Sequence, residues 1–391
     1  MKRRSFFAAT SAIAATGFAQ DTQTNRRVAV IGHTGRGNYG HGLDTVWQKI
    51  PGVEIVAVAD ADQAGLANEL KKLKVDKGYG DYRKMLKEIR PEFVSVCPRH
   101  ADQHHDMAIA AIQAGVKGLY IEKPFCRTPS EADALIATSE KHGAKIAVAH
   151  RNRYHPVLTQ IDKMIAAGEL GKLLQIRGRG KGDRRGGDED LWVLGSHVLN
   201  LVHYFAGVPK SCSAIMLRDG RQIAASDVRA GGEGLGPLAA NEVHARYETE
   251  KGIVAYYDSI ANDGTNGKAY CMELIGSKGT VTIHIDHKPV AHFTPGNPFQ
   301  PSSTPRPWIP ITTGGVGRPE TQNELIANVY NHVLGVRDLM DACDTDRQPL
   351  CDAHAAATTV EMICGVFESQ RQQGKTIDFP LVQRDNALSL L

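Results

Sequence analysis

The sequence lacks long apolar runs, paired cysteines and a surplus of charge of either sign. Its 46 Lys and Arg residues nearly balance 43 Asp and Glu residues, for a formal charge of +3, so the basic surface that nucleic-acid binding requires is not expected. Seven scattered cysteines without a Cys-x-x-Cys pair imply neither a disulfide framework nor a zinc site. We therefore expect neither nucleic acid nor a structural metal ion as a partner.

The length and composition are those of a globular protein with more than one core. The chain has 391 residues, of which 42% are hydrophobic and 23% are charged. A single hydrophobic core rarely serves so long a chain, so we expect two domains of ordinary size.

The first twenty residues have the composition of an export signal. Lys2, Arg3 and Arg4 precede a mildly apolar run, Phe6–Ala19, that ends in small residues. The run is too short to cross a bilayer as a helix, and the paired arginines are typical of a twin-arginine signal, which carries folded proteins across the membrane. We expect residues 1–20 to engage the twin-arginine export machinery and the mature protein to be periplasmic; an ordinary secretory signal is the alternative.

Residues 26–150 alternate β-branched runs with segments of helical periodicity. This rhythm predicts an α/β domain with a parallel sheet. Residues 151–380 contain longer strand-like runs joined by glycine turns, which predict a mainly antiparallel sheet with some helix. The predicted strands of the first domain are Val28–Ile31, Val53–Ala59, Phe93–Cys97, Gly118–Ile121 and Lys145–Ala149, and those of the second are Asn241–Tyr247, Ile253–Ser259, Cys271–Gly276 and Thr280–Ile285.

A glycine-rich loop follows the first predicted strand. In Gly32-His33-Thr34-Gly35-Arg36-Gly37, glycines allow a sharp turn and close approach to a pyrophosphate, and a helix-compatible segment comes next. Thr34 stands where the usual pattern has its second glycine. Asp60 ends the second strand, where a carboxylate binds ribose hydroxyls. The pattern predicts a Rossmann domain that prefers NAD to NADP, because a 2′-phosphate would face the Asp60 charge.

The segment Glu122-Lys123-Pro124 follows the predicted strand Gly118–Ile121. Ligands of open α/β sheets bind at this edge, so Lys123 is a candidate proton relay. The adjacent His104 and His105 diverge on a helix and have no third ligand in register, so no metal site is expected.

These segments together resemble the Gfo/Idh/MocA family of nicotinamide-dependent oxidoreductases. The resemblance is carried by "VAVIGHTGRG", "VAVADAD", "CPRHADQHHDMAIAAIQAG", "YIEKPF", "RNRYHP", "GELGKL" and "ELIGSKGTVTI". It implies a Rossmann domain followed by an α+β domain with a large open sheet that also forms homo-oligomer contacts. It further implies that Lys123 lies beside the nicotinamide and the reacting hydroxyl of a sugar or cyclitol, and that Pro98, His104 and Glu122 belong with the glycine loop to the cofactor site.

The resemblance also places a second catalytic cluster in "VLGSHVLN". His197 matches the family's histidine, but Val193 and Asn200 replace its two acids. The implied catalytic residues are Lys123, His197 and Tyr154. The implied substrate contacts are Arg153, Tyr154, His155, His197 and Asn200. The Arg177–Asp190 stretch is either a solvated loop or a loop over the pocket, in which Arg184 and Arg185 meet a carboxylate or phosphate.

Three functions remain open on the sequence. The first is an NAD(P)-dependent oxidoreductase that oxidises a sugar, glycoside or cyclitol hydroxyl. The second is a redox-neutral glycosidase or lyase that retains and recycles tightly bound NAD, which would suit an exported enzyme. The third, a non-catalytic sugar-binding protein, is favoured only by the missing acids.

Overall fold

The computed structural model describes residues 25–391, so the predicted export signal lies outside the described residues. Within the described part, no helix is both long and apolar enough to cross a membrane.

The first domain is a six-stranded parallel sheet with helices on both faces. Its strand order, β3-β2-β1-β4-β5-β6, is that of a dinucleotide-binding fold, as predicted. The strands are β1 Arg26–Ile31, β2 Val53–Ala59, β3 Gly78–Tyr79, β4 Phe93–Val96, β5 Gly118–Ile121 and β6 Lys145–Val148. The helices are α1 Gln63–Leu73, α2 Tyr82–Ile89, α3 His104–Gln113 and α4 Pro129–His142.

The second domain is built on an eleven-stranded, mostly antiparallel sheet. Its order is β18-β17-β16-β15-β14-β7-β13-β12-β8-β19, with β9 beside β8, and the β7–β13 pair is parallel. The eleven strands are β7 Leu173–Arg179, β8 Pro209–Arg218, β9 Arg221–Gln222, β12 Glu242–Thr249, β13 Val254–Ile260, β14 Cys271–Gly276, β15 Gly279–His284, β16 Ala291–Pro295, β17 Ile309–Thr312, β18 Gly315–Val316 and β19 Ile377–Asp378. A separate two-stranded sheet is formed by β10 Arg229–Ala230 and β11 Pro237–Leu238. The helices are α5 Val157–Ala166, α6 Asp188–Asp190, α7 Ser196–Ala206, α8 Asn323–Tyr330, α9 Val333–Thr345 and α10 Ala353–Arg371.

One helix of the second half of the chain packs on the first sheet. Val333, Val336 and Leu339 of α9 are buried in the cluster that contains Val30 and Phe93. Burial of apolar surface between the two halves therefore joins them, and it fixes the carboxyl edge of the parallel sheet against the second domain.

Candidate functional site

A cavity of about 320 Å³ lies between the two domains, at the carboxyl edge of β5 and β6. Parallel α/β sheets bind ligands at this edge because loops from successive strands converge there. The cavity is lined by His41, Glu122, Lys123, Ala149, Arg151, Lys181, Arg185, Leu194, His197, Tyr270, Asp286 and His332. The structure thus brings together the predicted Lys123 and His197 from opposite domains.

Lys123 is buried, with 6% of its surface exposed. Its Nζ donates a hydrogen bond of 2.9 Å to the carbonyl oxygen of Val193 and lies 4.0 Å from the carboxylate of Glu122. Burial lowers the pKa of Lys123, while the nearby Glu122 charge opposes that shift. A lysine with a lowered pKa reaches its neutral, proton-accepting form closer to physiological pH.

Glu122 supplies the negative charge at the floor of the cavity. Burial alone would raise its pKa, but the hydrogen bond from His41 and the charges of His41 and Lys123 lower it to about 2. One carboxylate oxygen lies 2.8 Å from Nδ1 of His41, and the other is buried without a hydrogen-bond partner among the described residues. Glu122 therefore stays ionised and keeps one oxygen available to a bound group.

His197 is the second residue of α7. One turn of π-helix, Leu191–Gly195, precedes α7, a distortion that often marks functional sites. The His197 ring packs edge-on against His150, with ring centroids 5.3 Å apart, and its Nδ1 is buried without a partner among the residues described. Burial and the Lys123 charge lower the pKa of His197 well below its usual value, so the ring is neutral.

The family's two acid positions hold no carboxylate, and of the two residues there only Val193 lies next to Lys123. Its backbone carbonyl, rather than its side chain, accepts the Lys123 hydrogen bond. Asn200, predicted to bind substrate, is buried away from the cavity, where its Nδ2 donates to Thr359 at 3.2 Å. The Asn200 side chain is therefore part of the packing between α7 and α10.

His332 enters the cavity from the break between α8 and α9. It has a left-handed backbone (φ 62°), a conformation that is strained for a residue with a Cβ and that clusters at functional sites. Its Nδ1 lies 2.9 Å from the hydroxyl of Tyr120, and its Nε2 is buried and unpaired within residues 25–391. Burial lowers the pKa of His332 to about 4, so a neutral ring offers a polar nitrogen to the cavity.

The glycine loop adopts the predicted turn, but the expected helix after it is wrong. Two short 3₁₀ turns, Gly40–Gly42 and Val46–Lys49, follow the loop. Gly42 has φ 83° and interrupts any longer helix. The loop is therefore not followed by a helix whose dipole points at it, and phosphate recognition there must rely on the backbone N–H groups of the loop.

Within the loop, the glycines permit close packing. A Cβ on Gly37, at φ 88°, would lie 2.4 Å from the backbone nitrogen of Arg99 and 2.5 Å from that of His100. A Cβ on Gly35, at φ 84°, would meet nothing within 4 Å, so open space remains in front of the loop. This combination fits a loop that approaches a dinucleotide.

Asp60 lines a second cavity of about 210 Å³ at the ends of β1 and β2, together with Gly32. This position fits the adenosine half of NAD. The carboxylate also orders the loop: it accepts hydrogen bonds from the backbone and hydroxyl of Thr34, from the Tyr39 hydroxyl and from the backbone of Asp62, at 2.7 to 3.1 Å. A bound ribose therefore competes with Tyr39 and Thr34 for Asp60, a competition that the sequence did not predict.

Three other residues that were predicted to bind the cofactor, Arg36, Pro98 and His104, form contacts within the protein. Arg36 forms an ion pair with Asp102. The two ring nitrogens of His104 lie 2.7 Å and 2.6 Å from the carbonyl oxygens of Pro124 and Pro98, so His104 ties together the loops that follow β4 and β5. These residues shape the edge of the sheet and make no contact with the 320 Å³ cavity.

The predicted substrate residues after β6 face away from the 320 Å³ cavity. Arg153 donates to the carbonyl of Asn200 at 2.9 Å, and the Tyr154 hydroxyl donates to Asp338 at 3.1 Å. His155 lines a separate cavity under β16 and β17. Residues 151–154 form a 3₁₀ turn, in which successive side chains point about 120° apart, so Arg151 alone of these residues faces the cavity.

Six polar residues of the cavity were not predicted as site residues: His41, Arg151, Lys181, Tyr270, Asp286 and His332. Of these, Arg151 had a sequence signal, since it follows β6 by three residues and belongs to the motif "RNRYHP". Lys181 lies in the Arg177–Asp190 stretch, which contributes Lys181 and Arg185 to the cavity but not Arg184. The others come from loops and strand ends that local patterns do not place in space.

Two family models match most of the chain. Residues 26–150 match the model described as oxidoreductase family, NAD-binding Rossmann fold, and residues 162–379 match the oxidoreductase family, C-terminal alpha/beta domain. Among curated relatives, D-apiose dehydrogenase of Paraburkholderia graminis is 26% identical over 300 residues, which are 70% of this chain and 78% of that protein. Inositol 2-dehydrogenase of Salmonella typhimurium is 30% identical over 132 residues, covering 33% of this chain and only 39% of that relative.

Solved structures share the fold over nearly the whole chain. Levoglucosan dehydrogenase in complex with NADH and levoglucosan has a TM-score of 0.70 at 17% identity, covering 92% of this chain and 100% of that one. An inositol dehydrogenase homolog from Azotobacter vinelandii, complexed with NADH and myo-inositol, has a TM-score of 0.69 at 20% identity, covering 91% and 98%. At these identities the likeness establishes the architecture.

Proposed function

Because the chain belongs to the Gfo/Idh/MocA family of NAD-binding oxidoreductases, we propose that it oxidises a hydroxyl of a sugar or cyclitol with NAD. Its relatives are named as dehydrogenases of D-apiose, inositol and levoglucosan. The observation that carries the proposal is a buried lysine of lowered pKa, Lys123, opposite a neutral His197 in one cavity.

The two cavities at the sheet edge would hold the two halves of the cofactor. Asp60 and the glycine loop would hold the adenosine and pyrophosphate, and Glu122 borders the cavity assigned to the nicotinamide and substrate. When bound, NAD supplies the hydride acceptor. The free oxygen of Glu122 offers an acceptor for an amide or hydroxyl group.

Lys123 removes the proton of the hydroxyl that is oxidised. In its neutral form, one N–H of Nζ donates to the carbonyl of Val193, which fixes the direction of the lone pair. That lone pair accepts the hydroxyl proton as the carbonyl forms, a role that general bases of suitable pKa perform. Ionised Glu122, 4.0 Å away, stabilises the ammonium that results.

His197 binds the same hydroxyl from the other side of the cavity. Its ring lines the cavity, and its Nδ1 has no hydrogen-bond partner among the described residues. A neutral imidazole can accept or donate one hydrogen bond there, and its packing against His150 holds the ring in place.

The test is a screen of sugars and cyclitols with purified mature protein, read as NADH formation, after released nucleotide has been quantified by mass spectrometry. Lys123→Ala should reduce turnover about 10²- to 10⁴-fold while nucleotide binding persists. Lys71→Ala, on the exposed face of α1, is the matched control and should retain full activity. Full activity in Lys123→Ala would overturn the assignment. Glycoside cleavage without net NADH would instead indicate the redox-neutral reaction.

Two further parts of the proposal concern location and assembly. The basic residues Lys2, Arg3 and Arg4 support export by the twin-arginine route to the periplasm, which a fusion of residues 1–20 to a reporter in a strain without that route would test.

The large sheet supports a homo-oligomer, because β8 exposes Ile215 on the face opposite α10. Sedimentation of Ile215→Glu against the unchanged protein tests the oligomer.

A further inference from the structure

Basic side chains outnumber carboxylates in the lining of the 320 Å³ cavity. Lys123, Arg151, Lys181 and Arg185 come from both domains and face Glu122 and Asp286, while Asp183, outside the lining, pairs with Arg185. Of the four, Lys123 is assigned to the proton transfer, so Arg151, Lys181 and Arg185 are the groups left for an anion. Building on the proposed dehydrogenase function, we propose that the substrate is an anionic sugar derivative whose carboxylate or phosphate group is bound by Arg151, Lys181 and Arg185.

Arg151 and Lys181 share one counter-ion. Nη2 of Arg151 lies 3.2 Å from one oxygen of Asp286, and Nζ of Lys181 lies 3.8 Å from the other. The Arg151 guanidinium also rests 5.1 Å from the centre of the Tyr330 ring, which fixes its plane. Because Arg151 and Lys181 share the single negative charge of Asp286, the three groups together are positively charged and can bind a second anion.

Arg185 is held in place with donors to spare. Its Nε and Nη2 bond the carboxylate of Asp183 at 3.2 Å and 2.7 Å, while Nη1 has no partner among the described residues. The surrounding loop is anchored, because Asn262 donates to the Asp183 carbonyl at 3.1 Å and Gly187 donates to Ser259 at 3.1 Å. The guanidinium is therefore oriented before any ligand binds, which reduces the entropic cost of binding.

These three cations are separate from the groups assigned to the cofactor phosphates. Arg151 follows β6, and Lys181 and Arg185 lie in the loop after β7, whereas the glycine loop follows β1. Their side chains can only donate hydrogen bonds, which suits an anionic group that only accepts them better than a hydroxyl that does both. The substrate end of the cavity is consequently selective for charge.

The experiment compares matched ligands on the NADH-loaded protein by calorimetry. The ligands are glucose, galactose and mannose, their uronic acids and their 6-phosphates, so that the carboxylate and phosphate arms are read separately. We expect at least one anionic series to bind about 10- to 100-fold more tightly than its neutral parent, and its affinity to fall with added salt. Neutral sugars that bind as tightly as both anionic series would overturn the proposal.

A pair of adjacent arginines provides the control. Arg185→Gln should weaken binding of the anion about 10- to 100-fold and leave neutral sugars unaffected, whereas Arg184→Gln should change neither, because Arg184 is exposed and outside the cavity. Equal effects of the two substitutions would refute the proposal. Anion binding without NADH formation would support this site and refute the dehydrogenase function. NADH formation from neutral sugars alone would do the reverse.

Discussion

The charge of Glu122 sets the pH at which Lys123 becomes a base, and Glu122→Gln tests this coupling. The two charges lie 4.0 Å apart, which corresponds to about 4 kcal/mol at an effective dielectric constant of 20. Removal of the carboxylate charge lowers the pKa of Lys123, because the ammonium loses its neighbouring anion while its burial remains. The glutamine keeps an acceptor oxygen for His41, which limits the structural disturbance.

The assay is the pH dependence of kcat/KM for the sugar identified in the screen. In the unchanged protein, kcat/KM rises with pH as Lys123 loses its proton. In Glu122→Gln, the rising limb should move to lower pH by about one to three pH units, because about 1.4 kcal/mol corresponds to one unit. Glu233→Gln is a graded control, since Glu233 acts on Lys123 in the same direction but less than Glu122. A limb that stays in place or moves to higher pH would refute the reasoning.

Three further substitutions test the loop and its surroundings. Gly37→Ala should lower the free energy of unfolding by about 1 to 3 kcal/mol in urea titrations, because its Cβ would strike backbone nitrogens. Gly35→Ala should lower the free energy of unfolding less, because its Cβ meets open space. Asp60→Asn should weaken NADH binding about 10-fold in fluorescence titrations, because an amide group would turn a donor toward Thr34 and Tyr39. Burial and a hydrogen bond with Asp44 raise the pKa of Glu69 from 4.5 to about 7. The Tm of the folded protein should therefore fall as pH rises through that interval, because the folded state holds the Glu69 proton more tightly than the unfolded state. A Glu69→Gln variant whose Tm falls as much as that of the unchanged protein over the same interval would contradict this.

The strands of the first sheet were predictable because they are short, apolar and regularly spaced. The prediction located β2 and β5 at their observed bounds and the other long strands within two residues. It missed β3, which has two residues and no apolar run, and it expected a helix after the glycine loop. The position of α9 on the first sheet also escaped prediction, since helical periodicity reveals an apolar face but not the surface that the face covers.

The cavity was predictable only where a residue ends a strand or belongs to a family motif. Glu122 and Lys123 satisfy the first condition and His197 the second. His332 gave no such signal, because its position depends on its own left-handed backbone conformation, at the break between α8 and α9. Arg153 was predicted in place of Arg151 because a sequence motif does not specify the phase of a 3₁₀ turn.

The replaced acids and the excess of cations are two aspects of one change in the cavity. An acid at position 193 would lie beside Lys123 and raise its pKa. Val193 instead gives Lys123 a neutral backbone acceptor, and Asn200 turns away toward Thr359. Lys123 therefore remains easier to deprotonate, and the free donor of Arg185 and the two cations that share Asp286 are left to the substrate. A dehydrogenase that lacks these acids is consistent with a substrate that supplies the missing negative charge itself.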